Sequence, residues 1–205
     1  MPVDLIKIEV GPWPMNCYVV IAFDGKSCTI IDPGAEANEI LSQVKAFHVE
    51  KILITHGHAD HVGALKWIKQ ATRAPVLINP IDAHRFKISY DHPLVDGQEI
   101  QLGDSIIKPI HTPGHTAGMM SFDIGDNRVI VGDTLFVGGP GKTWSAEEFV
   151  LTMKTMERIV FKWSDETRFF PGHGSAGMIG YERPAYEEFI KKGWSEGTYG
   201  DITWV

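Results

Sequence analysis

The stretch LITHGHADHVGA, residues 53–64, places three histidines and one aspartate within six consecutive positions. It begins inside KILITH, a short apolar run that predicts a buried strand. Because side chains at positions i and i+2 of an extended chain point to the same side, His56 and His58 are predicted to face one metal ion together. Asp60 and His61 follow the turn of the chain and are predicted to face a second ion beside it.

A polar helix start is the alternative interpretation of this stretch, with Asp60 as the N-cap and the histidines on the surface. Four later segments bear on the choice. They are HTPGHTAG at 111–118, VGDTLF at 131–136, GPGKTW at 139–144 and PGHG at 171–174. They add His115, Asp133 and His173 as candidate ligands. Five histidines and two aspartates are too many for one tetrahedral ion but suffice for two ions that share a carboxylate, which favours a metal site.

The composition is that of an ordinary globular protein, with 43% hydrophobic and 22% charged residues among 205. This length suits one domain, which we place at residues 1–205. The formal net charge is −7 and no basic stretch recurs, which argues against nucleic acid as a partner. The N-terminus lacks a secretory signal, and no apolar stretch approaches the roughly 20 residues that span a bilayer. We therefore expect a soluble, cytoplasmic protein with no membrane partner.

Apolar periodicity predicts two successive groups of strands, each with its own helices. The first group contains a hairpin over NCYVVIAFDGKSCTIID, in which an Asp-Gly turn pairs Ile21 with Cys28. That register leaves the sulfurs of Cys17 and Cys28 roughly 13 Å apart, which is too far for a disulfide. Both cysteines are therefore predicted to be buried free thiols.

The helices are predicted to cover the outer faces of two packed sheets. In the first group, GALKWIKQA predicts a helix with Ala71 on its inner face. In the second, EIQLGDSIIKPIH and MMSFDIGDNRVIVGD are predicted hairpins, and Ser145 with Glu148 forms a capping box that opens a helix. TRFFPG is the predicted last strand, and Pro184 is predicted to start a terminal helix with Ile190 facing inward.

Taken together, THGHADH, HTPGHT, GDTLF and PGHG resemble the signature of the metallo-β-lactamase-fold hydrolases. The nearest branch is the glyoxalase II type, the hydroxyacylglutathione hydrolases. The resemblance covers nearly the whole chain and implies an αββα sandwich of two mixed β-sheets with the metals at one edge. It implies that His56, His58 and His115 hold one ion, that Asp60, His61 and His173 hold the other, and that Asp133 bridges them. The implied cofactors are two divalent ions, zinc foremost, with iron or manganese as alternatives.

Asp133 separates this sequence from the dedicated β-lactamases that it resembles. True metallo-β-lactamases lack the bridging aspartate, and many use a cysteine in the second metal site. This sequence has GDTLF and no cysteine near the cluster. A dedicated β-lactamase is therefore disfavoured.

Two adjacent ions would lower the pKa of a water between them and ready it for attack on a carbonyl. Asp60 is the predicted catalytic residue, since it can orient that water as well as bind metal. In the glyoxalase II group a basic residue near Lys142 helps to bind the substrate; the alternative for Lys142 is a solvated surface lysine. Trp13 and Met15 lie in a loop that often overhangs the site in this fold. They are candidates for the pocket wall, or else they pack on the core.

Classical glyoxalase II carries an added C-terminal helical domain whose basic residues grip glutathione. After His173 this sequence has room for a helix and a Gly-rich tail, and its basic candidates there are Arg183, Lys191 and Lys192. The sequence therefore resembles the short, single-domain glyoxalase II-like proteins, whose substrates vary.

A dinuclear thioesterase acting on S-lactoylglutathione or a related thioester is the first function that the resemblance implies. A lactonase or promiscuous esterase of the same fold is the second. A persulfide dioxygenase with a single iron is the third, and a non-catalytic metal-binding module is the fourth. The expected partner is a small-molecule thioester or ester, and the sequence leaves the oligomeric state open.

Overall fold

Two six-stranded mixed sheets form the centre of the fold in the computed structural model, which describes residues 3–204. The first sheet contains, in spatial order, β1 Asp4–Val10, β2 Met15–Ile21, β3 Ser27–Ile31, β4 His48–Leu53, β5 Val76–Ile78 and β6 His92–Pro93. Its first three strands are antiparallel neighbours, whereas β3 to β6 run parallel. The carboxyl ends of β3 and β4 therefore lie side by side at one edge of the sheet.

The second sheet is built from later strands. In chain order these are β7 Ile100–Leu102, β8 Ser105–His111, β9 Met120–Asp123, β10 Arg128–Gly132, β13 Arg168–Pro171 and β14 Gly177–Met178; β11 Leu135–Phe136 and β12 Gly139–Pro140 form a separate ribbon. In space the order is β14-β13-β10-β9-β8-β7, with β10 and β13 parallel. The predicted hairpins β7–β8 and β9–β10 are confirmed. The strand over TRFFPG is not the last, because β14 follows it.

Six α-helices lie within residues 3–204. They are α1 Ala37–Gln43, α2 Ala59–Val62, α3 Leu65–Thr72, α4 Pro80–Phe86, α5 Ala146–Arg158 and α6 Ile179–Lys192. A 3-10 turn, Val160–Lys162, follows α5. None of the helices in the described part of the chain has the length and apolar character needed to cross a membrane.

Apolar side chains form three separate layers because successive residues of a strand point to opposite faces. In β2, Cys17 and Val19 belong to the layer shared with α1 and α3, whereas Tyr18 and Val20 belong to the layer between the sheets. A third layer joins the far face of the second sheet to α5 and α6. The order is helix, sheet, sheet, helix, which confirms the predicted αββα sandwich.

The terminal helix differs from the prediction. It begins at Ile179, and Pro184 lies inside it. The first turn is held by tertiary contacts: Ile179 is fully buried, and Glu182 Oε2 accepts a hydrogen bond from Gly138 N at 2.8 Å. These contacts offset the one helical hydrogen bond that an internal proline removes. Ile190 was predicted to face inward but is 40% exposed.

Ala71 of α3 also departs from its predicted place. Leu65 and Ile68 turn toward the first sheet and are buried, as predicted. Ala71 is exposed and faces a groove between α1 and α3. An alanine contributes little to either face of a helix, so periodicity alone assigns its side weakly.

The two cysteines follow the predicted register. Ile21 pairs with Cys28, and both Cys17 and Cys28 are free and buried. Burial raises the pKa of the Cys28 thiol to about 12, and it also raises the pKa of Cys17 well above its ordinary value. Because the thiolate is the reactive form, both thiols should be inert in the folded protein.

We therefore expect Ellman's reagent at pH 8 to label neither cysteine of the native protein within minutes, and to label both after denaturation. Absorbance of the released chromophore measures the reaction. A thiol that reacts as fast in native as in denatured protein would contradict the register and burial described above.

Met156 reports on the packing of α5 against the second sheet. It is fully buried, so Met156→Ala should lower the free energy of unfolding by about 2–5 kcal/mol through a cavity and lost apolar burial. Val150 lies on the same helix and is 41% exposed, so Val150→Ala is the matched control and should change stability by about 0.5 kcal/mol or less. Urea denaturation of both variants measures the difference; equal losses would show that α5 does not pack as described.

Candidate metal centre

The seven candidate ligands lie in four loops, each of which follows the carboxyl end of a strand. His56 and His58 follow β4 and lead into α2, which carries Asp60 and His61; His115 follows β8, Asp133 follows β10, and His173 follows β13. Loops at strand ends leave the apolar layers undisturbed. The structure brings all seven side chains together.

His56, His58 and His115 form a first group, with their ring nitrogens pointing at one another. His58 Nδ1 lies 2.9 Å from His56 Nε2 and 3.0 Å from His115 Nε2. On its other side, His115 Nδ1 donates to the carbonyl oxygen of Lys142 at 2.8 Å, which leaves a lone pair on Nε2. Three converging imidazole nitrogens are a ligand set for zinc or iron.

Asp60, His61 and His173 form a second group beside the first. His173 Nε2 lies 3.2 Å from Asp60 Oδ2, and His173 Nδ1 donates to the carbonyl oxygen of Pro14 at 2.9 Å. His61 is fully buried, whereas the Asp60 carboxylate is 45% exposed. The second group therefore joins a buried imidazole to a carboxylate that solvent can reach.

Asp133 lies between the two groups. Its Oδ2 is 3.6 Å from His115 Nε2 in the first group and 3.9 Å from His173 Nε2 in the second, and its Oδ1 is 3.3 Å from His61 Nε2. The backbone of Gly172 lies so close that a Cβ there would collide with Asp133 Oδ1. This is the position from which one carboxylate can reach two ions.

The pKa shifts of His56, His58 and Asp60 favour the protonation states that bind metal. Burial, together with the neighbouring rings of His61 and His115, lowers the pKa of His56 well below its ordinary value. Burial and His115 also lower the pKa of His58 to about 4. The hydrogen bond from His173 lowers the pKa of Asp60. Neutral imidazoles and ionised carboxylates are the forms that bind metal ions.

Two buried polar atoms without hydrogen-bond partners indicate that these residues fit a metal ion. Within residues 3–204, His61 Nε2 and Asp133 Oδ1 are buried without a well-formed hydrogen bond, although they lie 3.3 Å apart. Because His61 Nδ1 donates to Asp32 Oδ2 at 2.9 Å, a neutral His61 ring would turn a lone pair toward a carboxylate oxygen. Two facing acceptors are costly unless a cation satisfies both. The residues present fit a metal centre.

The same region stabilises positive charge. Burial opposes protonation of His61, but the carboxylates of Asp133 and Asp32 outweigh burial and raise the pKa of His61 well above its ordinary value. A divalent cation at this position would supply the charge that these two carboxylates favour.

Asp32 supports both groups and was not predicted as a site residue. Its Oδ1 accepts from Thr55 N at 2.7 Å, and its Oδ2 accepts from Thr55 Oγ1 at 2.5 Å and from His61 Nδ1 at 2.9 Å. Thr55 Oγ1 in turn lies 3.0 Å from His56 Nδ1. The available signal was its place directly after β3, at the edge where β4 also ends.

Asp82, also not predicted, ties the first two ligand loops together. It is fully buried on α4. Its Oδ2 accepts from Gly57 N at 3.1 Å and from Thr116 Oγ1 at 2.7 Å, and its Oδ1 accepts from Gly118 N at 2.8 Å. Asp82 lies within a helix and outside the sequence motifs, so the sequence did not indicate this role.

A cavity of about 710 Å³ opens over both groups. Its lining includes His58, Asp60, His115, Asp133 and His173, together with Phe136, Val137, Lys142, Trp144 and Asp201. A larger cavity of about 1190 Å³ lies between α1 and α3, but no histidine lines it. The smaller cavity is the one that gives a substrate access to the candidate ligands.

Trp144 forms part of the cavity wall and was not predicted as a site residue. Its ring lies 5.2 Å from that of His58 and 5.0 Å from that of His115. The predicted capping box holds its backbone: Ser145 Oγ accepts from Glu148 N at 3.2 Å, while Glu148 Oε2 accepts from Trp144 N at 2.8 Å instead of from Ser145 N.

The predicted substrate-binding residues are placed differently from one another. Lys142 lines the cavity, and its Nζ lies 3.2 Å from Asp201 Oδ2. Met15 is 1% exposed and packs in the layer beneath α1 and α3. Trp13 is 78% exposed on the turn after β1. Neither Met15 nor Trp13 is among the residues that line the cavity, so their placement gives no support to a role in the pocket wall.

The basic residues after His173 are also placed away from the candidate ligands. Arg183 is held by Asp165 and by the carbonyl oxygens of Phe161 and Trp163. Lys192 pairs with Glu188 on α6.

Comparisons with known proteins identify relatives that match most of the chain. Residues 10–182 match the sequence model of the Metallo-beta-lactamase superfamily. The probable polyketide biosynthesis zinc-dependent hydrolase BaeB of Bacillus velezensis is 32% identical over 179 residues, which cover 83% of this chain and 78% of BaeB. The hydroxyacylglutathione hydrolase GloC of Haemophilus influenzae is 29% identical over 198 residues, which cover 86% of this chain and 93% of GloC.

Solved structures share the overall fold. The B3 metallo-beta-lactamase BLEG-1 superposes with a TM-score of 0.79 at 25% identity, covering 88% of this chain and 97% of BLEG-1. TTHA1623 in a di-iron-bound form superposes with a TM-score of 0.73 at 27% identity, covering 87% of this chain and 96% of TTHA1623.

Asp32→Asn tests the support of the centre. Asp32 has a positive φ of 52°, which asparagine tolerates, but the amide cannot accept all three hydrogen bonds. We expect a loss of metal affinity of about 10–100-fold, measured by competition with a chromophoric chelator.

Asp126→Asn is the matched control, because Asp126 also has a positive φ, 54°, but its carboxylate is exposed. It should leave metal affinity unchanged. Equal affinities in the two variants would mean that Asp32 does not support the ligands.

Proposed function

The chain belongs to the metallo-beta-lactamase superfamily, and from that membership we propose that it is a dinuclear metal-dependent thioesterase of the hydroxyacylglutathione hydrolase type. The position of Asp133 carries the proposal. Its carboxylate lies within 4 Å of histidines from both groups, and its Oδ1 is buried opposite His61 Nε2. A mononuclear iron enzyme, with ligands such as His58, His115 and Asp133, would not require the second group.

The first group would hold one ion and the second group the other, with Asp133 shared. When bound, the pair would lower the pKa of a water molecule and polarise the substrate carbonyl. The exposed carboxylate of Asp60 faces the cavity, and we assign it the orientation of the attacking water through a hydrogen bond. Because Asp60 stays ionised beside His173, it keeps the acceptor character that this task requires.

A thioester suits this cavity because its leaving group needs little protonation. A free thiol has a pKa of about 8.5, so the thiolate can depart without a general acid. Lys142 is then available to bind a polar group of the substrate. Trp144 and Val137 offer apolar surface to the rest of it and help to exclude water from the reaction.

Zinc is the metal that we propose, because the ligand set of imidazoles and carboxylates suits it and the relative BaeB is named as zinc-dependent. Iron is the alternative, since TTHA1623 is described in a di-iron-bound form. A lactonase or esterase would use the same centre and differs only in releasing no thiol. A persulfide dioxygenase would contain one iron and consume oxygen.

The proposal is tested by measuring kcat/KM for S-D-lactoylglutathione through thiol release, with protein of known metal content. We expect two metal ions per chain and a value above ~10⁴ M⁻¹s⁻¹. A fully metallated protein that releases no thiol from any thioester would overturn the thioesterase. A single iron per chain, together with oxygen consumption when a persulfide is supplied, would identify a persulfide dioxygenase instead.

Asp133→Asn should lower both the metal content and the activity. The amide offers one neutral oxygen where a bridging carboxylate offers two charged ones. We expect fewer than two ions per chain and a fall in kcat/KM larger than the roughly 10–100-fold that loss of a supporting residue costs.

Metal analysis and thiol release on the same samples measure this effect, with Asp126→Asn as the control. Full activity in the Asp133 variant would rule out the dinuclear mechanism.

A further inference from the structure

The C-terminal tail, residues 193–204, forms one wall of the cavity over the candidate ligands. Asp201, Ile202 and Thr203 line the cavity from this side. They stand opposite Lys142 and Trp144, which reach the same space from the loop before α5. The outer part of the cavity is therefore shaped by two segments that carry none of the seven candidate ligands.

Fixed contacts on both sides of Asp201 hold the tail in place. Trp204 is 2% exposed, packs on the rings of Tyr186 and Phe189, and donates from its N to Gly138 O at 2.8 Å. Ahead of Asp201, Gly200 O accepts from Thr143 N at 3.2 Å. Because the chain is held at both residues 200 and 204, the Asp201 backbone has a defined position.

Close packing against Gly139 adds to this constraint. A Cβ at that position would collide with the carbonyl oxygen of Ile202, so the tail lies directly on the β11–β12 ribbon. The wall that carries Asp201 is thus a built part of the cavity.

Charge in the outer cavity is balanced by a single pair. Lys142 Nζ lies 3.2 Å from Asp201 Oδ2 in a solvent-exposed pair, with 49% of the Lys142 side chain and 78% of the Asp201 side chain exposed. Lys142 is the one lysine or arginine among the described residues that line the cavity. Apart from Asp201, the acidic lining residues are Asp60 and Asp133, which belong to the candidate metal centre. The outer walls otherwise present Phe136, Val137, Pro140, Trp144 and Ile202.

We infer that Asp201 is a specificity-determining residue that neutralises Lys142 and so favours substrates whose arm in the outer cavity is uncharged and apolar. The inference rests on the proposed function, and it names the substrate class of that same site. A substrate carboxylate at Lys142 would have to displace the Asp201 carboxylate or lie beside it, and like charges at that distance repel. An amide or hydroxyl group can accept a hydrogen bond from Lys142 without separating the pair.

The pair with Asp201 limits the kinds of substrate group that Lys142 can bind. An unpaired lysine would attract a carboxylate, whereas a paired lysine keeps donors for a neutral polar group but little net charge. S-D-lactoylglutathione, whose thiol arm carries carboxylates, should therefore be a substrate that improves when Asp201 loses its charge.

Two thioesters of identical shape test this directly: S-lactoyl-3-mercaptopropanoate and S-lactoyl-3-mercaptopropanamide. They differ only in the charge at the end of the thiol arm. The quantity measured is the ratio of kcat/KM for the amide to kcat/KM for the carboxylate, in metallated protein. Asp201→Asn removes the charge that the inference invokes.

Glu99→Gln is the matched control. Glu99 forms an exposed ion pair with Lys108 at 3.2 Å, away from the cavity, so the control makes the same change in net charge and breaks the same kind of pair. We expect the wild-type protein to prefer the amide. In Asp201→Asn the preference should fall by roughly two- to fivefold, the scale of an exposed ion pair, whereas Glu99→Gln should leave it unchanged.

Lys142→Gln tests whether Asp201 acts through the lysine. In that background Asp201→Asn should shift the preference less than it does in the wild-type protein, because the pair is already broken. A shift of equal size in both backgrounds, or no shift in either, would overturn the inference.

A binding measurement keeps the test separate from the proposed activity. The thioethers 3-(hexylthio)propanoate and 3-(hexylthio)propanamide are not hydrolysed, and calorimetry gives their Kd values on the metallated protein. If thioesters are hydrolysed but the preference is unaffected by Asp201→Asn, the inference fails and the proposed function stands.

If no thioester is hydrolysed, the proposed function fails and the thioethers decide the inference. The inference is supported if the preference for the amide thioether, measured as the ratio of the two Kd values, falls in Asp201→Asn but not in Glu99→Gln. Equal Kd ratios in all variants, or no binding of either thioether, would overturn it.

Discussion

The candidate metal centre depends on buried carboxylates that face a buried imidazole. Asp133 Oδ1 and His61 Nε2 lie 3.3 Å apart, and the other ring nitrogen of His61 donates to Asp32, so that positive charge is favoured at this position. Such an arrangement is costly in a protein interior unless a cation binds there. The segments that follow four strands all converge on this point, and each contributes an imidazole or a carboxylate. The αββα layers supply the rigid strand ends from which these groups extend.

Support for the ligands comes from residues whose own positions are set by the sheets. Asp32 follows β3 directly and reaches across to the loop after β4, because parallel neighbours end at the same edge. Asp82 reaches the first two ligand loops from α4. The outer cavity, by contrast, is formed by the loop before α5 and the C-terminal tail. The candidate ligands and the walls of the outer cavity therefore lie in different segments, and the two are joined where Lys142 O accepts a hydrogen bond from His115 Nδ1.

The motifs predicted the fold and assembled the candidate ligands because local spacing and strand ends carry that information. The hairpin register followed from an Asp-Gly turn, and it correctly kept Cys17 and Cys28 apart. Other features depend on distant contacts that no local pattern encodes. Pro184 lies inside α6 because buried contacts at Ile179 hold the first turn, and Trp144 reaches the cavity because the capping box holds its backbone. The placement of Asp201 depends on Trp204, a buried anchor in a segment that reads as a Gly-rich tail.

The central claim is that the two groups around Asp133 bind two ions. Anomalous diffraction at the zinc edge from zinc-loaded crystals tests it most directly, because it locates each ion without reference to activity. The account predicts two peaks, one among His56, His58 and His115 and one among Asp60, His61 and His173, with Asp133 in contact with both. A single peak in the first group, with Asp60 and His173 still paired to each other, would contradict it.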